Sequence, residues 1–234
     1  DITIDYLAGR PFVPKGKDWQ AAVHDWGKLH TDDGALFDQE INIDAASIRP
    51  VVTWGTSPQH CIPLDEAIPD PASFQDKNAR QSAEKAQKYM DVMPGQKLID
   101  LKIDGAFIGS CTNSRLSDLR KAAGLLQGRK VAKGVRAICV PGSTQVKIAA
   151  ENEGLDQIFI ESGFEWRESG CSMCFYAGGE SFGFQERVVT STNRNFESRQ
   201  GPQTRSHLAS PEVVAASAIA GHICDVASLR AKKT

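Results

Sequence analysis

The stretch KIDGAFIGSCTNSR, residues 102–115, decides the fold. Its first part, KIDGAFIGS, is a short apolar run of the kind that forms a strand buried on both faces. It turns polar at Cys111 and leads into SRLSDLRKAAGLLQ (114–127), where Leu116, Leu119, Ala122 or Ala123, and Leu126 fall on one helical face. The same alternation continues downstream. VRAICVPGS (135–143) predicts a second strand and TQVKIAAENEG (144–154) a second helix, stopped by Gly154. LDQIFIESGF (155–164) predicts a third strand. Strands and helices joined by short links predict an α/β fold, a doubly wound and mostly parallel sheet with helices on both faces. Near the end, SPEVVAASAIAGHICD (210–225) predicts a buried helix, with Ser210 as N-cap and Pro211 in the first turn.

Upstream the pattern is less regular, which predicts two regions: an irregular and helical connecting region over 1–95 and the α/β domain over 96–234. DWQAAVHDWGKL (18–29) reads as a helix, QEINIDAASIRPVVTWG (39–55) as strand-like alternation, and IPLDEAIPDPASF (62–74) as an extended connector with three prolines. A helix is predicted from Ser73 to about Met90 and closed by Pro94 and Gly95, its ARQSAEKAQK stretch a solvated face. The terminal RAKKT (230–234) reads as a short basic tail.

The totals narrow the function classes. The chain has 234 residues, 27 Lys and Arg against 29 Asp and Glu, and 41% hydrophobic residues. A net charge of −2 gives no bulk attraction to nucleic acid or an anionic membrane. No apolar run approaches the roughly 20 residues of a membrane span, and the start lacks a signal-peptide pattern. It also lacks a methionine, so the chain is expected to begin inside a longer protein. Six cysteines in an unsignalled α/β chain predict reduced thiols in a reducing, cytoplasmic setting.

Ligands of doubly wound sheets bind beyond the carboxyl ends of the strands. Cys111 stands at such an end, in a loop with Ser110, Thr112, Asn113 and Ser114. Free N–H groups at the following helix start make that loop a seat for an anion. Cys171 and Cys174, three apart in GCSMC, also follow a strand-like run. Several readings stay open on spacing alone. They are a cluster on three thiolates with one open iron, a zinc site completed by His207 or His222, a redox pair, or buried structural cysteines. TSTNRNFESRQG (190–201) carries Arg194 and Arg199 between asparagines. It reads as a polar surface loop unless it faces the cysteines, in which case its guanidinium groups suit carboxylates. Cys61, Cys139 and Cys224 are expected to be packing residues, Trp54 a core residue, and the five histidines structural or on the surface.

FIGSCTNSR (107–115), GRKVAKGVRAICVPGS (128–143), EGLDQIFIESGFEWRESGCSMC (153–174) and TSTNRNFESRQG together resemble the aconitase family. GRPFVPKGKDW, TWGTSP, IPDPASF and SAEKAQKYM extend the resemblance over nearly the whole chain. It is most similar to the branch that isomerises isopropylmalate in leucine biosynthesis. The resemblance implies a [4Fe–4S] cluster on Cys111, Cys171 and Cys174, acting as a Lewis acid in dehydration and rehydration. It implies that Arg194, Arg199 and Asn193, with Ser110 and Asn113, bind a small hydroxy diacid. It implies a missing N-terminal half, and a catalytic base on a small subunit carrying a swivelling domain, so that this chain holds none itself. Alternatives are homoaconitase, another alkylmalate dehydratase, and, from other classes, a cluster-free RNA-binding protein or a zinc-stabilised module. The chain departs from the family pattern in FYAGGESFGFQERVV (175–189), where Val188 replaces a cysteine, in PQTRSHL (202–208) and in TSPQHC (56–61).

Overall fold

The structure is a computed structural model that describes residues 1–176 and 179–231. It forms two compact units, Asp1–Ile48 and Arg49–Thr234.

The first unit holds helix α1 (Ile2–Leu7) and helix α2 (Gly16–Trp26), the latter where the sequence predicts one. Neither helix buries a residue; Trp19 and Trp26 meet edge to face, their centroids 5.7 Å apart. The strand predicted within 39–55 is confined to its end. Ala45–Ser47 form a single 3₁₀ turn, because Asp44 accepts a hydrogen bond from the Ala46 N–H and competes with extended pairing.

The second unit opens with a hairpin of β1 (Val51–Thr53) and β2 (Cys61–Pro63). Helix α3 (Lys77–Met90) follows, with Asp76 capping the Ala79 N–H and Asp91 taking the left-handed conformation that ends it. The helix therefore begins later than Ser73, which belongs to a separate 3₁₀ turn at Pro71–Ser73, and ends at Asp91 before Pro94 and Gly95 are reached. The central sheet then builds from β3 (Gly105–Ile108), α4 (Leu116–Leu126), β4 (Arg136–Cys139), α5 (Thr144–Asn152), α6 (Leu155–Ser162), β5 (Phe164–Trp166), β6 (Arg187–Thr190) and β7 (Arg205–Leu208). Helices α7 (Pro211–Ala220) and α8 (Val226–Ala231) close the chain, α7 capped by Ser210 as predicted. The last residues of RAKKT, 232–234, lie outside the described residues.

The sheet is parallel throughout, in the order β5-β4-β3-β6-β7. One expected strand is a helix. LDQIFIES forms α6 because Leu155, Phe159 and Ser162 share one buried face and Gly154 and Gly163 punctuate both ends. The strand on that edge is the short Phe164–Trp166 that follows.

Alternation along the strands sorts two cores. Ala106, Ile108, Ala137, Cys139 and Val189 point to one face, where the buried faces of α4, α6 and α7 cover them. Phe107, Ile138, Val140 and Val188 point to the other, where Met173, Cys174 and Phe182 cover them. Each fully buried side chain of this size contributes roughly 1.5–3 kcal/mol. Gly105 permits the second cover: a Cβ there would lie 2.5 Å from the Phe182 ring.

Polar bonds fasten the strands at the β7 edge. Arg187 is buried, and its Nη1 donates to His207 Nε2 at 2.9 Å; His207 Nδ1 then donates to the Thr53 carbonyl at 2.7 Å. Burial, with Arg187 adjacent, lowers the His207 pKa to about 3, and burial lowers that of Arg187 to about 10.

Candidate functional site

The strand order reverses direction at β3 and β6: the chain runs outward through β4 and β5 on one side and through β6 and β7 on the other. Such a switch point opens a crevice beyond the carboxyl ends of the two middle strands. The loop after β3 carries Cys111, and the loop after β6 carries Asn193, Arg194 and Arg199.

Ser191 joins these two lips. Its buried hydroxyl accepts from the Gly109 N–H at 3.1 Å and lies 3.0 Å from the Gly109 carbonyl, to which it donates. Asn113 Nδ2 donates to the Ser191 carbonyl at 2.8 Å, so this predicted ligand-binding amide also holds the lips together. Ser110 is buried within the same loop, and Cys111 is exposed. The loop after β4 presses against it from the other side. The Gly142 N–H donates to the Ser114 carbonyl at 3.0 Å, and a Cβ on Gly142 would lie 2.9 Å from that same oxygen.

Cys171 and Cys174 occupy one 3₁₀ turn after β5, in which the Cys174 N–H donates to the Cys171 carbonyl at 2.9 Å. Ser172 between them has φ 42°, a left-handed conformation that costs a β-carbon residue of order 1 kcal/mol or more. Cys171 is exposed and Cys174 buried.

The loop after β6 reaches this turn through two side chains. Arg199 Nε donates to the Cys174 carbonyl at 2.7 Å, and its Nη2 donates to Cys174 Sγ at 3.3 Å and to Asn193 Oδ1 at 3.3 Å. Gln200 Nε2 donates to the Met173 carbonyl at 3.1 Å. The stretch 190–201 is therefore no solvated surface loop: Ser191, Thr192, Asn195, Arg199 and Gln200 are buried, while Asn193 and Arg194 stay exposed. Asn195 anchors it to the β1–β2 hairpin, donating to Thr53 Oγ1 and to the Gly55 carbonyl.

The electrostatics are one-sided. Arg199 is 8% exposed, yet neither it nor Arg194 forms an ion pair with any described carboxylate. A buried cation without a counter-charge is costly, so the arrangement calls for an anionic group from outside the described residues.

The three thiols do not make a mononuclear site. Among the described residues, no group of three or more His, Cys, Asp or Glu converges on a position for one metal ion. A zinc ion needs its ligands within about 2.0–2.3 Å of one centre. His207 is committed to Arg187 and Thr53, and His222 Nδ1 to the carbonyls of Ile99 and Ile223. A polynuclear cluster makes a different demand, since each thiolate binds its own iron and the sulfurs stand further apart. The donor set suits it: soft thiols only, on loops at one end of the sheet. Each cysteine-bearing segment also holds a buried hydroxyl without a hydrogen-bond partner, Ser114 in one and Ser172 in the other. Cys139 and Cys224 are buried, Cys61 is exposed on β2, and Trp54 is buried beneath the stacked His60 ring.

Ser191, Asn195 and Gln200 carry the site's architecture and are not singled out by sequence reasoning. Their signal is weak because small polar residues in a loop look alike until their partners, over 80 positions away for Ser191 and Gly109, are known. A cavity of about 470 Å³ lined by Arg49, Leu64, Ile99, His222 and Asp225 lies near the amino end of β3, away from this crevice. No described helix is long and apolar enough to cross a membrane.

Comparison with known proteins places these features in a wider set. Residues 1–221 match the model of the aconitase family (aconitate hydratase). The chain is 63% identical over 225 residues, which is 96% of its length and 84% of the relative's, to the 3-isopropylmalate dehydratase large subunit of Cupriavidus necator.

Proposed function

The chain belongs to the aconitase family of hydro-lyases, and from that premise we propose that it is the large subunit of an enzyme interconverting 2- and 3-isopropylmalate in leucine biosynthesis. The observation that carries this reading is the buried Arg199. It has no partner among the described carboxylates, and it joins the Cys174 thiol on the turn after β5 to Asn193 of its own loop after β6.

Cys111, Cys171 and Cys174 would hold a [4Fe–4S] cluster, which when bound supplies a Lewis acid to polarise a hydroxyl. The chain's own residues bind and orient. Arg199, fixed by the Cys174 carbonyl and Asn193, is already oriented before a substrate carboxylate arrives. Arg194, exposed and unpaired with any described carboxylate, receives the second carboxylate. Loss of the hydroxyl as water and of a proton from the neighbouring carbon gives an alkene. Water returns with the opposite regiochemistry, and no net oxidation occurs. The proton acceptor belongs to a small-subunit partner with a swivelling domain.

The test assembles the complete large subunit with its partner subunit and loads iron and sulfide anaerobically. Turnover of 3-isopropylmalate, well above that of homoaconitate or citrate, is expected. Turnover of either tricarboxylate in preference to the alkylmalate would overturn the reading.

A further inference from the structure

Three aromatic side chains next to the crevice remain half exposed: Phe175 at 51%, Tyr176 at 43% and Phe196 at 44%. Isolated exposed aromatics need no explanation, but a contiguous apolar patch marks a binding site. Two of these are contiguous. Phe175 and Phe196 meet at a tilted edge, centroids 6.4 Å apart and planes at 60°. The Arg199 guanidinium carbon stands 5.2 Å from the Phe196 ring centroid. Phe175 directly follows Cys174, whose sulfur accepts from Arg199. The Tyr176 N–H donates to the Arg199 carbonyl at 2.6 Å, which locks the aromatic segment to the arginine loop. One wall thus runs from a carboxylate-gripping cation onto two apolar rings.

The geometry points to Phe175 and Phe196 as the residues on this chain that select the substrate's alkyl branch, an inference that rests on the functional reading above. A diacid anchored by one carboxylate on Arg199 lays its neighbouring substituent along this wall. A branched alkyl group gains by displacing water from both rings. A third carboxylate in the same position loses hydration against the two phenylalanine faces.

The experiment compares kcat/KM for 3-isopropylmalate and for 3-methylmalate, which lacks two of the branch carbons, using the complete two-subunit enzyme. Calorimetric Kd values for both acids, and iron and sulfide content, are read on the same samples. Phe196→Ala and Phe175→Ala should each lower kcat/KM and weaken binding for 3-isopropylmalate by about tenfold or more, the range for lost apolar contacts in a pocket. They should change the 3-methylmalate values less than about threefold, and cluster content should stay at the unsubstituted level. Phe196→Leu, which keeps apolar bulk, should restore most of the preference. Unchanged preference in both alanine variants, or equal losses on both acids, would overturn the inference while leaving the functional reading intact. So would equal losses together with loss of the partner subunit, which would make the rings a docking surface. A complex that turns over citrate or homoaconitate and not 3-isopropylmalate would overturn both.

Discussion

Arg199 shows how much one side chain can be asked to do. Its three hydrogen-bond acceptors, the Cys174 carbonyl, Cys174 Sγ and Asn193 Oδ1, are spread around one guanidinium plane that a lysine ammonium cannot imitate. Arg199→Lys keeps the charge and loses the geometry, so kcat/KM for the diacid should fall by roughly 100-fold, or about 3 kcal/mol of transition-state binding. Steady-state kinetics of the assembled enzyme checks this; a loss under threefold would remove Arg199 from substrate binding. At this scale the sequence was informative. Cys111, Cys171 and Cys174 stand out by residue type and spacing, and Arg194 and Arg199 by guanidinium chemistry. What it could not show was burial, since nothing in TSTNRNFESRQG distinguishes the buried Arg199 from the exposed Arg194.

Among the elements, the parallel β3–α4–β4 unit was legible because its apolar periods are clean, and α6 was not. The run IFI looks like a strand, and only the two flanking left-handed glycines at 154 and 163 decide for a helix. Strands β6 and β7 were missed for a related reason. Both are short and carry Arg187, Thr190, Arg205, Ser206 and His207, polar residues tolerated inside a sheet only because specific partners meet them. Those partners titrate. His207 is buried with its pKa lowered to about 3, flanked by Arg187, and it remains neutral in the fold, whereas an unfolded chain protonates it near 6.5. Between these values the unfolded state binds more protons, so stability rises with pH across this window and falls as the solution is acidified. His207 alone should cost about 1.4 kcal/mol per pH unit below roughly pH 6. Urea unfolding at pH 7.0 and 5.0 should show a smaller drop for His207→Gln than for the unsubstituted chain. Equal drops would mean that the ring is protonated without penalty.

For the molecule as a whole, the two cores explain which cysteine matters to what. Cys139 lies in the helix-covered core with its thiol pKa pushed up by burial, so it is packing material. Cys171 is exposed on a turn and packs against little. Cys171→Ser should therefore abolish retention of iron and sulfide with almost no change in thermal midpoint. Cys139→Ser should lower the midpoint by placing a hydroxyl in an apolar core, about 1–3 kcal/mol, while leaving iron content intact in the protein that remains folded. Parallel loss of iron in both would reduce the thiol assignment to general instability. Ser191 sets a further constraint. One hydroxyl pins the segment that bears Cys111 to the segment that bears the arginines, so the proposed inorganic centre and the proposed diacid would share a single mounting. Oxidative loss of the proposed cluster would then slacken the grip on the proposed acid, and the reverse, because one side chain ties both segments together.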